Sequence, residues 1–442
     1  MTTTVPTSAR ARAVTSSAIR DILAVVDRPG VLSLAGGLPA ADLLDTDAVG
    51  AAVDAALGRR GRLGPTALQY GPTEGDETLR ELLATRHGVA VDQVLVTSGA
   101  QQALDLVLRA VADPGDAVAI TDPGYLGAVQ AAAAAGLVVR PAASDGDGLD
   151  VDALATTLGR SPRADRPDRA ARTGSPKALH VVPTFHNPTG AVLADERRRA
   201  LGALADRHGM VVLEDDPYRD LWFDEAAAGL APVADHGELV VRIGSASKVL
   251  APGLRVGWAI GPRPIVAAAV RLKQAADLHT GGLDQLVVAH LLADEAAHLA
   301  HLQRARRTYA RRAAALGRAL EEALGDRLAL PPVRGGLFLW GRATDGTDTT
   351  ALLPRAVAGG VAFVPGSAFA VGPGGDGHAD RLRLSFASVG PDQAEEAAAR
   401  LAAAWASSPE TSPSTGRATS EPTGEPTNDP SGGPVAVGAL GA

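Results

Sequence analysis

Residues 240–258, VVRIGSASKVLAPGLRVGW, place one lysine just after a predicted strand and an arginine seven positions further on. The apolar run VVRIGS ends at Ser245, and Lys248 follows in a turn that also contains Ser247. In a mostly parallel sheet, ligands bind at the carboxyl ends of the strands. The stretch therefore points to a candidate site at such a strand end.

The surrounding sequence, from about residue 90 to 260, alternates short apolar runs with helical stretches. The predicted strands are VLVTS (94–98), AVAIT (117–121), HVVPT (180–184), MVVLEDD (210–216), VVRIGS (240–245) and GWAIG (257–261). The predicted helices between them are ALDLVLRAV (103–111), GAVQAAAAAG (127–136) and DERRRALGALADRHG (195–209). Strands interleaved with helices imply an α/β fold, a mostly parallel sheet covered on both faces.

The chain is predicted to divide into four parts. Residues 1–45 form a tail and an amphipathic helix around SSAIRDILAVV, and they are counted with the smaller domain. Residues 46–285 form the large α/β domain. A long helical stretch from about 284 to 324 leads into a smaller C-terminal α+β domain, residues 286–406. Residues 407–442 are rich in Ser, Thr, Pro and Gly without apolar periodicity, so we expect a disordered tail.

Composition excludes several classes of function. With 46% hydrophobic residues in 442, the chain can build a sizeable core. The net charge of −8 argues against nucleic acid or an anionic membrane as the main partner. The absence of cysteine excludes disulfides, thiolate metal sites and a cysteine nucleophile, and no metal is predicted. The N-terminal residues lack the apolar segment of a signal peptide, so a cytoplasmic location is expected.

Lys248 has the neighbours that a reactive amine needs. An amine that attacks a carbonyl must be unprotonated part of the time, which burial beside cations favours. Arg255 supplies a fixed fork suited to a phosphate dianion, and the hydroxyls of Ser245 and Ser247 can add hydrogen bonds. This set fits a lysine that forms a Schiff base with a phosphorylated aldehyde, pyridoxal 5′-phosphate (PLP). The alternative is an ordinary surface turn.

Two further stretches supply groups that such a cofactor requires. In VVLEDDPYRD, Asp215 ends a strand, and a buried carboxylate there would keep a pyridine nitrogen protonated. Tyr218 comes three residues later and can donate to the 3′-oxygen of the ring, which Asn187 in PTFHNPTG could share. The alternatives are a helix cap or turn residue for Asp215 and a plain Asn-Pro turn for Asn187.

Two glycine-containing stretches complete the candidate site. In VTSGAQQALDLV, a strand passes through Gly99 into a helix at Ala100 and Gln101, which would present free backbone N–H groups to a phosphate. In DPGYLGAVQ, Tyr125 could stack on the cofactor ring. The alternatives are an ordinary helix start and ordinary aromatic packing.

Taken in order, these pieces carry a family resemblance. The chain resembles the fold-type I, class I/II PLP-dependent aminotransferases, in the branch of the aminoadipate and kynurenine aminotransferases. The resemblance runs from about Ser17 to Ala404 and implies a mostly parallel central sheet flanked by helices, with a smaller C-terminal α+β domain. The matching stretches are IRDIL, LSLAGGLP, LQYGPTEG, TSGAQQALDL, DPGYLGAVQ, FHNPTG, EDDPY, SASKVLAPGLRVGW, GGLFLW, VAFVPGSAF and LRLSF.

The resemblance implies roles at the matched positions. Lys248 would carry the cofactor and then move the proton between the substrate Cα and C4′ of the cofactor. Asp215 would pair with the pyridinium, Tyr125 would stack on the ring, and Asn187 and Tyr218 would hold the 3′-oxygen. The phosphate would be held by Ala100, Gln101, Ser245, Ser247 and Arg255. Ala100 stands where relatives often carry serine, so its backbone amide must replace one hydroxyl.

The resemblance also implies substrate contacts and a partner. Arg383 would clamp the substrate α-carboxylate, helped by the amide of Gly37 and by Asn187. Tyr70 would reach the phosphate of a neighbouring subunit, which makes the active unit a homodimer with shared sites. Arg20 matches an arginine that can face the substrate side chain in this branch, and the alternative is a solvated arginine on an amphipathic helix.

The implied reaction moves an amino group between an L-amino acid and a 2-oxo acid, with 2-oxoglutarate as the expected acceptor. Aminoadipate, aromatic and branched amino acids are the expected donors. A PLP-dependent lyase, decarboxylase or racemase on the same scaffold is the first alternative. An effector-sensing domain of a transcription regulator is the second, but a basic DNA-binding module of about 60–70 residues would have to precede it.

Overall fold

The computed structural model describes residues 6–8, 11–12, 14, 30–58, 64–160, 174–372 and 377–406. The predicted N-terminal helix with Arg20 and the predicted tail at 407–442 lie outside these residues. Among the helices so described, none is long and apolar enough to cross a bilayer.

The described chain contains short strands and longer helices in alternation. The strands are β1 (Leu32–Ser33), β2 (Val94–Thr97), β3 (Ala117–Asp122), β4 (Val138–Asp145), β5 (Gly148–Leu149), β6 (Ala178–Val181), β7 (Val211–Asp215), β8 (Val240–Ser245), β9 (Gly257–Ile260), β10 (Leu328–Ala329), β11 (Phe338–Ala343), β12 (Val361–Ala362), β13 (Val364–Pro365) and β14 (Arg381–Ser385). The helices are α1 (Thr46–Ala56), α2 (Glu77–His87), α3 (Ala100–Val111), α4 (Leu126–Ala135), α5 (Val151–Arg160), α6 (Asp195–His208), α7 (Glu225–Ala228), α8 (Arg263–Ala276), α9 (Gly282–Ala293), α10 (Glu295–Leu324), α11 (Thr349–Ala358) and α12 (Pro391–Ala406).

The central sheet has eight strands in the order β2-β9-β8-β7-β6-β3-β4-β5. Strands β8, β7, β6, β3 and β4 pair in parallel, whereas β9 runs antiparallel to both of its neighbours and β5 returns from β4 as a hairpin. The prediction of a mostly parallel α/β sheet is therefore confirmed. Six of these strands lie where the apolar runs predicted them.

Both faces of the sheet are covered because alternate side chains of each strand point to opposite sides. Val118 and Ile120 pack in the cluster that contains residues of α3 and α4. Ala119, between them, packs in the cluster that contains residues of α5 and α6. Continuous apolar runs such as AVAI are typical of strands buried on both faces.

Strand β4 was not predicted, and its composition explains why. It contains Arg140 and Pro141, and most of its side chains are exposed or half-buried. It lies towards one end of the sheet, followed only by the two-residue β5. A strand in this position needs no apolar run, so hydrophobicity does not reveal it.

The predicted helix at 284–324 is interrupted at Asp294. This residue lies between α9 and α10, and its carboxylate accepts a 3.0 Å hydrogen bond from the amide of Ala297. The contact is a helix N-cap, which satisfies one of the free amides of α10. Apolar periodicity continues through the break, so the sequence indicated one helix where there are two.

A second sheet of four antiparallel strands, in the order β10-β11-β14-β13, packs with α10 and α12 around a shared core. Near the N-terminus, β1 pairs in parallel with β12, which brings residues 32–33 beside this C-terminal part. Helix α9 crosses the predicted domain boundary at 285, and the division into domains stays a prediction.

Candidate active site

A cavity of about 500 Å³ lies where β7 and β8 end and α3 begins. Apart from Tyr70, it brings together every predicted site residue that the structure describes. These residues are Gly37, Ala100, Gln101, Tyr125, Asn187, Asp215, Tyr218, Ser245, Ser247, Lys248, Arg255 and Arg383.

Lys248 lies in the turn that follows β8, and its side-chain amine faces the N-terminal part of the chain. Nζ donates a 2.7 Å hydrogen bond to the carbonyl oxygen of Gly37. Burial, together with the positive charges of Arg383 and Arg255, lowers the pKa of Lys248 to about 8, although Asp215 opposes the shift. A substantial fraction of this amine is therefore neutral near physiological pH, which a nucleophile or base requires.

Asp215 is the last residue of β7 and is buried. Its Oδ2 lies 3.2 Å from Nε2 of His180, while Oδ1 is buried without a hydrogen-bond partner in the described chain. A buried carboxylate oxygen without a donor is costly, and a protonated ring nitrogen would satisfy it. This unpaired oxygen is an observed feature that fits the pyridinium of PLP.

His180 was missed by the sequence analysis. It belongs to β6, is fully buried, and its ring centroid lies 6.2 Å from that of Tyr125. The available signal was its position, because it is the one polar residue in the strand ALHV. A buried polar side chain in such a strand must have a partner, and here the partner is Asp215.

Two tyrosines, the buried Tyr218 and the half-buried Tyr125, face the same cavity. Burial, followed by the neighbouring Asp215 carboxylate, raises the pKa of Tyr125 to about 12. Burial also raises the pKa of Tyr218, whose phenol is hydrogen-bonded to the side chain of Asn187. Both phenols are therefore protonated near neutral pH and can act as hydrogen-bond donors.

One end of the cavity, where the sequence predicted a phosphate to bind, is formed by the start of α3. Gly99 precedes the helix with a φ of 82° and provides no side-chain cap, so the first amides of the helix remain available. A Cβ at Gly99 would lie only 2.6 Å from Nη2 of Arg255, the atom that donates to the Ser98 carbonyl. A Cβ at Gly257 would lie equally close, 2.6 Å, to the carbonyl carbon of Gly99. Because both residues are glycine, α3, Arg255 and β9 can pack in close contact.

Arg383 is a buried cation without a carboxylate partner in the described chain. Its guanidinium donates to Oδ1 of Asn187 at 2.7 Å and to the carbonyl of Ala35 at 2.6 Å, and it lies 4.2 Å from the ring centroid of Phe338. Burial lowers the pKa of Arg383 to about 10, so it stays charged at neutral pH. A buried cation with neutral partners favours an incoming carboxylate.

Tyr70 does not line this cavity. Its side chain is 79% exposed, and its ring contacts His279 edge-on at a centroid distance of 5.8 Å. Two other exposed apolar side chains, Leu68 and Leu278, lie close to these two residues in the chain.

Residues 15–401 match the family model of class I and II aminotransferases, so the chain belongs to that family. It is therefore a PLP-dependent aminotransferase, an enzyme with amino acid and 2-oxo acid substrates. The prediction of family, fold and cofactor from the sequence is confirmed.

Two similar sequences and one solved structure illustrate the relationship. The 2-aminoadipate transaminase of Thermus thermophilus is 37% identical over 390 residues, which cover 87% of this chain and 93% of that protein. Aromatic-amino-acid aminotransferase 1 of Thermococcus litoralis is 32% identical, with coverages of 89% and 93%. The crystal structure of an α-aminoadipate aminotransferase from T. thermophilus, complexed with N-(5′-phosphopyridoxyl)-L-leucine, matches with a TM-score of 0.78, 36% identity, and coverages of 90% and 96%.

Proposed function

We propose that the cavity around Lys248 holds PLP with its ring nitrogen at Asp215. The unpaired Oδ1 of Asp215 supports this orientation, since it needs a donor, and His180 fixes the other carboxylate oxygen. Tyr218 and Asn187 would donate to the 3′-oxygen, and Tyr125 would cover the ring. When bound, PLP supplies an electron sink for the negative charge that develops at the substrate Cα.

The phosphate would bind at the opposite end of the cavity. The groups that would hold it belong to residues that line this cavity: the amides of Ala100 and Gln101, the hydroxyls of Ser245 and Ser247, and the guanidinium of Arg255. A helix N-terminus combined with an arginine fork suits a dianion. Tyr70 of a second subunit would complete this end.

The amino acid would bind with its α-carboxylate on Arg383. The guanidinium already donates to Asn187 and Ala35, so its fork is held in one orientation before substrate arrives. Lys248, whose pKa lies near 8, would then remove and return the proton at Cα. Holding the carboxylate at one point and the amino nitrogen at another directs the Cα–H bond towards the lysine.

The proposed donors are aminoadipate, aromatic and branched amino acids, with 2-oxoglutarate as acceptor. The named activities of two similar proteins, on 2-aminoadipate and on aromatic amino acids, support this breadth. The cavity wall supports it as well, because Leu38, Leu126 and Val182 supply apolar surface for a side chain. Arg20, if it faces the substrate, would favour acidic donors.

The proposed active unit is a homodimer in the cytoplasm. Leu68, Tyr70 and Leu278 are each at least half exposed in the isolated chain. Leu278, next to His279, also has a φ of 64°, in the left-handed region that bulky side chains rarely adopt. Exposed apolar side chains of this kind mark protein interfaces.

A half-reaction screen tests the proposal. The purified holoenzyme is mixed with single amino acids while the PLP absorbance is followed as it converts to the pyridoxamine form. We expect conversion with aminoadipate, glutamate, leucine and phenylalanine, and reversal by 2-oxoglutarate. Ammonia and a 2-oxo acid produced without an acceptor would instead indicate a lyase, and the Lys248→Ala variant provides the inactive control.

A further inference from the structure

Lys273 of α8 is a fully buried lysine that does not line the active-site cavity. Its Nζ donates to both carboxylate oxygens of Asp277 at 2.8 Å and to Oε1 of Gln102 at 3.0 Å. A buried ammonium is costly unless its hydrogen bonds are satisfied. Here all three donors of the amine have acceptors, so the cluster is fully satisfied.

Gln102 joins this ion pair to the turn before α3. Its Oε1 also accepts a 2.7 Å hydrogen bond from the backbone amide of Ser98, and its Nε2 donates to Oδ2 of Asp277 at 2.7 Å. The hydroxyl of Ser98 lies 3.3 Å from the same carboxylate oxygen. The cluster therefore holds Ser98 through both its backbone and its side chain.

Ser98 connects the cluster to the phosphate end of the cavity. Its carbonyl accepts a 3.3 Å hydrogen bond from Arg255, and the next residues are Gly99 and Ala100, where α3 begins. A displacement of Ser98 would therefore move both the free amides at the start of α3 and the guanidinium of Arg255. Ala100 and Arg255 line the cavity, whereas Lys273, Asp277 and Gln102 do not.

We propose that Lys273, Asp277 and Gln102 are positioning residues that hold the phosphate-binding end of the active site in place. This inference rests on the proposed function, because it assumes that the start of α3 and Arg255 receive the cofactor phosphate. The three residues act through Ser98 and do not touch the cofactor. Their loss is expected to weaken recognition of the phosphate and to leave recognition of the pyridine ring intact.

The experiment compares PLP with pyridoxal, which lacks only the phosphate. The full-length enzyme is freed of cofactor and titrated with each compound while absorbance is followed. Gln102→Leu removes the hydrogen bond to the backbone amide of Ser98 and keeps the Lys273–Asp277 pair, whereas Lys273→Met removes the buried charge. The matched control is Arg263→Met on the same helix, which breaks an exposed ion pair with Asp92.

We expect the Kd for PLP to rise about tenfold in Gln102→Leu and Lys273→Met, as for the loss of one charge-assisted hydrogen bond. The Kd for pyridoxal should stay at the wild-type value, and Arg263→Met should change neither. An unchanged Kd for PLP, or an equal rise for both compounds, would overturn the inference. If Lys273→Met does not fold, Gln102→Leu decides the question. A wild-type enzyme that binds PLP no more tightly than pyridoxal would instead contradict the proposed phosphate site.

Discussion

The guanidinium of Arg383 and the side-chain oxygen of Asn187 are joined by a 2.7 Å hydrogen bond, although 196 residues separate them in the chain. The other terminal nitrogen of Arg383 donates to the carbonyl of Ala35. Both partners are neutral, so the positive charge of the buried arginine is not cancelled before a substrate binds. Three distant parts of the sequence thus orient one cation towards the cavity.

Replacing Arg383 tests its role as the carboxylate clamp. In Arg383→Met, kcat/KM of the amino-acid half-reaction is expected to fall about 100-fold, because two charge-assisted hydrogen bonds to the substrate are lost. The matched control is Arg381→Met, on the same strand, which removes a half-buried arginine paired with Asp380. Stopped-flow absorbance measures both, and an equal loss in the two variants would argue against the clamp.

Lys248 gives a prediction about pH. Its lowered pKa of about 8 means that the folded protein releases this proton more readily than an exposed lysine would. The rate of covalent PLP capture by the cofactor-free enzyme should therefore rise with pH and level off above about pH 8. A lysine-containing peptide is the control, and its rate should continue to rise towards about pH 10. If the capture rate of the enzyme also continued to rise towards about pH 10, the pKa of Lys248 would not be lowered.

The position of Tyr70 gives a prediction about subunit mixing. If Tyr70 serves the partner's site, a mixed dimer of Lys248→Ala and Tyr70→Ala subunits contains one site with both wild-type residues. Mixtures refolded or co-expressed together should then regain about half of the wild-type activity per mixed dimer, since one of two sites is intact. If Tyr70 acts within its own subunit, the mixture should never exceed the activity of Tyr70→Ala alone.

Gly257 gives a prediction about packing. A Cβ there would lie within 2.8 Å of Gly99 and Ala100 backbone atoms, so Gly257→Ala must push β9 and the start of α3 apart. We expect a loss of about 1–3 kcal/mol in stability from this overpacking, together with weaker PLP binding. Gly253→Ala is the matched control, because a Cβ at Gly253 meets no atom within 4 Å. Urea unfolding and PLP titration measure the two effects.

The sequence allowed most of the central sheet to be predicted because its inner strands are buried on both faces. Strand β4 was not predicted because it lies near the end of the sheet and carries Arg140 and Pro141. The break between α9 and α10 at Asp294 was not predicted because a capping aspartate does not disturb apolar periodicity. Local hydrophobicity therefore reports burial well, but it does not report where a helix ends.

The cavity residues were predicted from motif order, whereas their supporting contacts were not. His180 was missed because its function depends on Asp215, a residue on the neighbouring strand. The contacts of Arg383 with Ala35 and of Gln102 with Lys273 join residues far apart in sequence. Only the folded structure brings such pairs together, so no local pattern could have indicated them.

The pairing of β1 with β12 and the bond from Arg383 to Ala35 have a consequence for biosynthesis. Ala35 leaves the ribosome 348 residues before Arg383, its hydrogen-bond partner. These contacts can therefore form only after the long intervening stretch of chain has been translated. Until then, residues 32–33 lack the strand with which they pair in the finished fold.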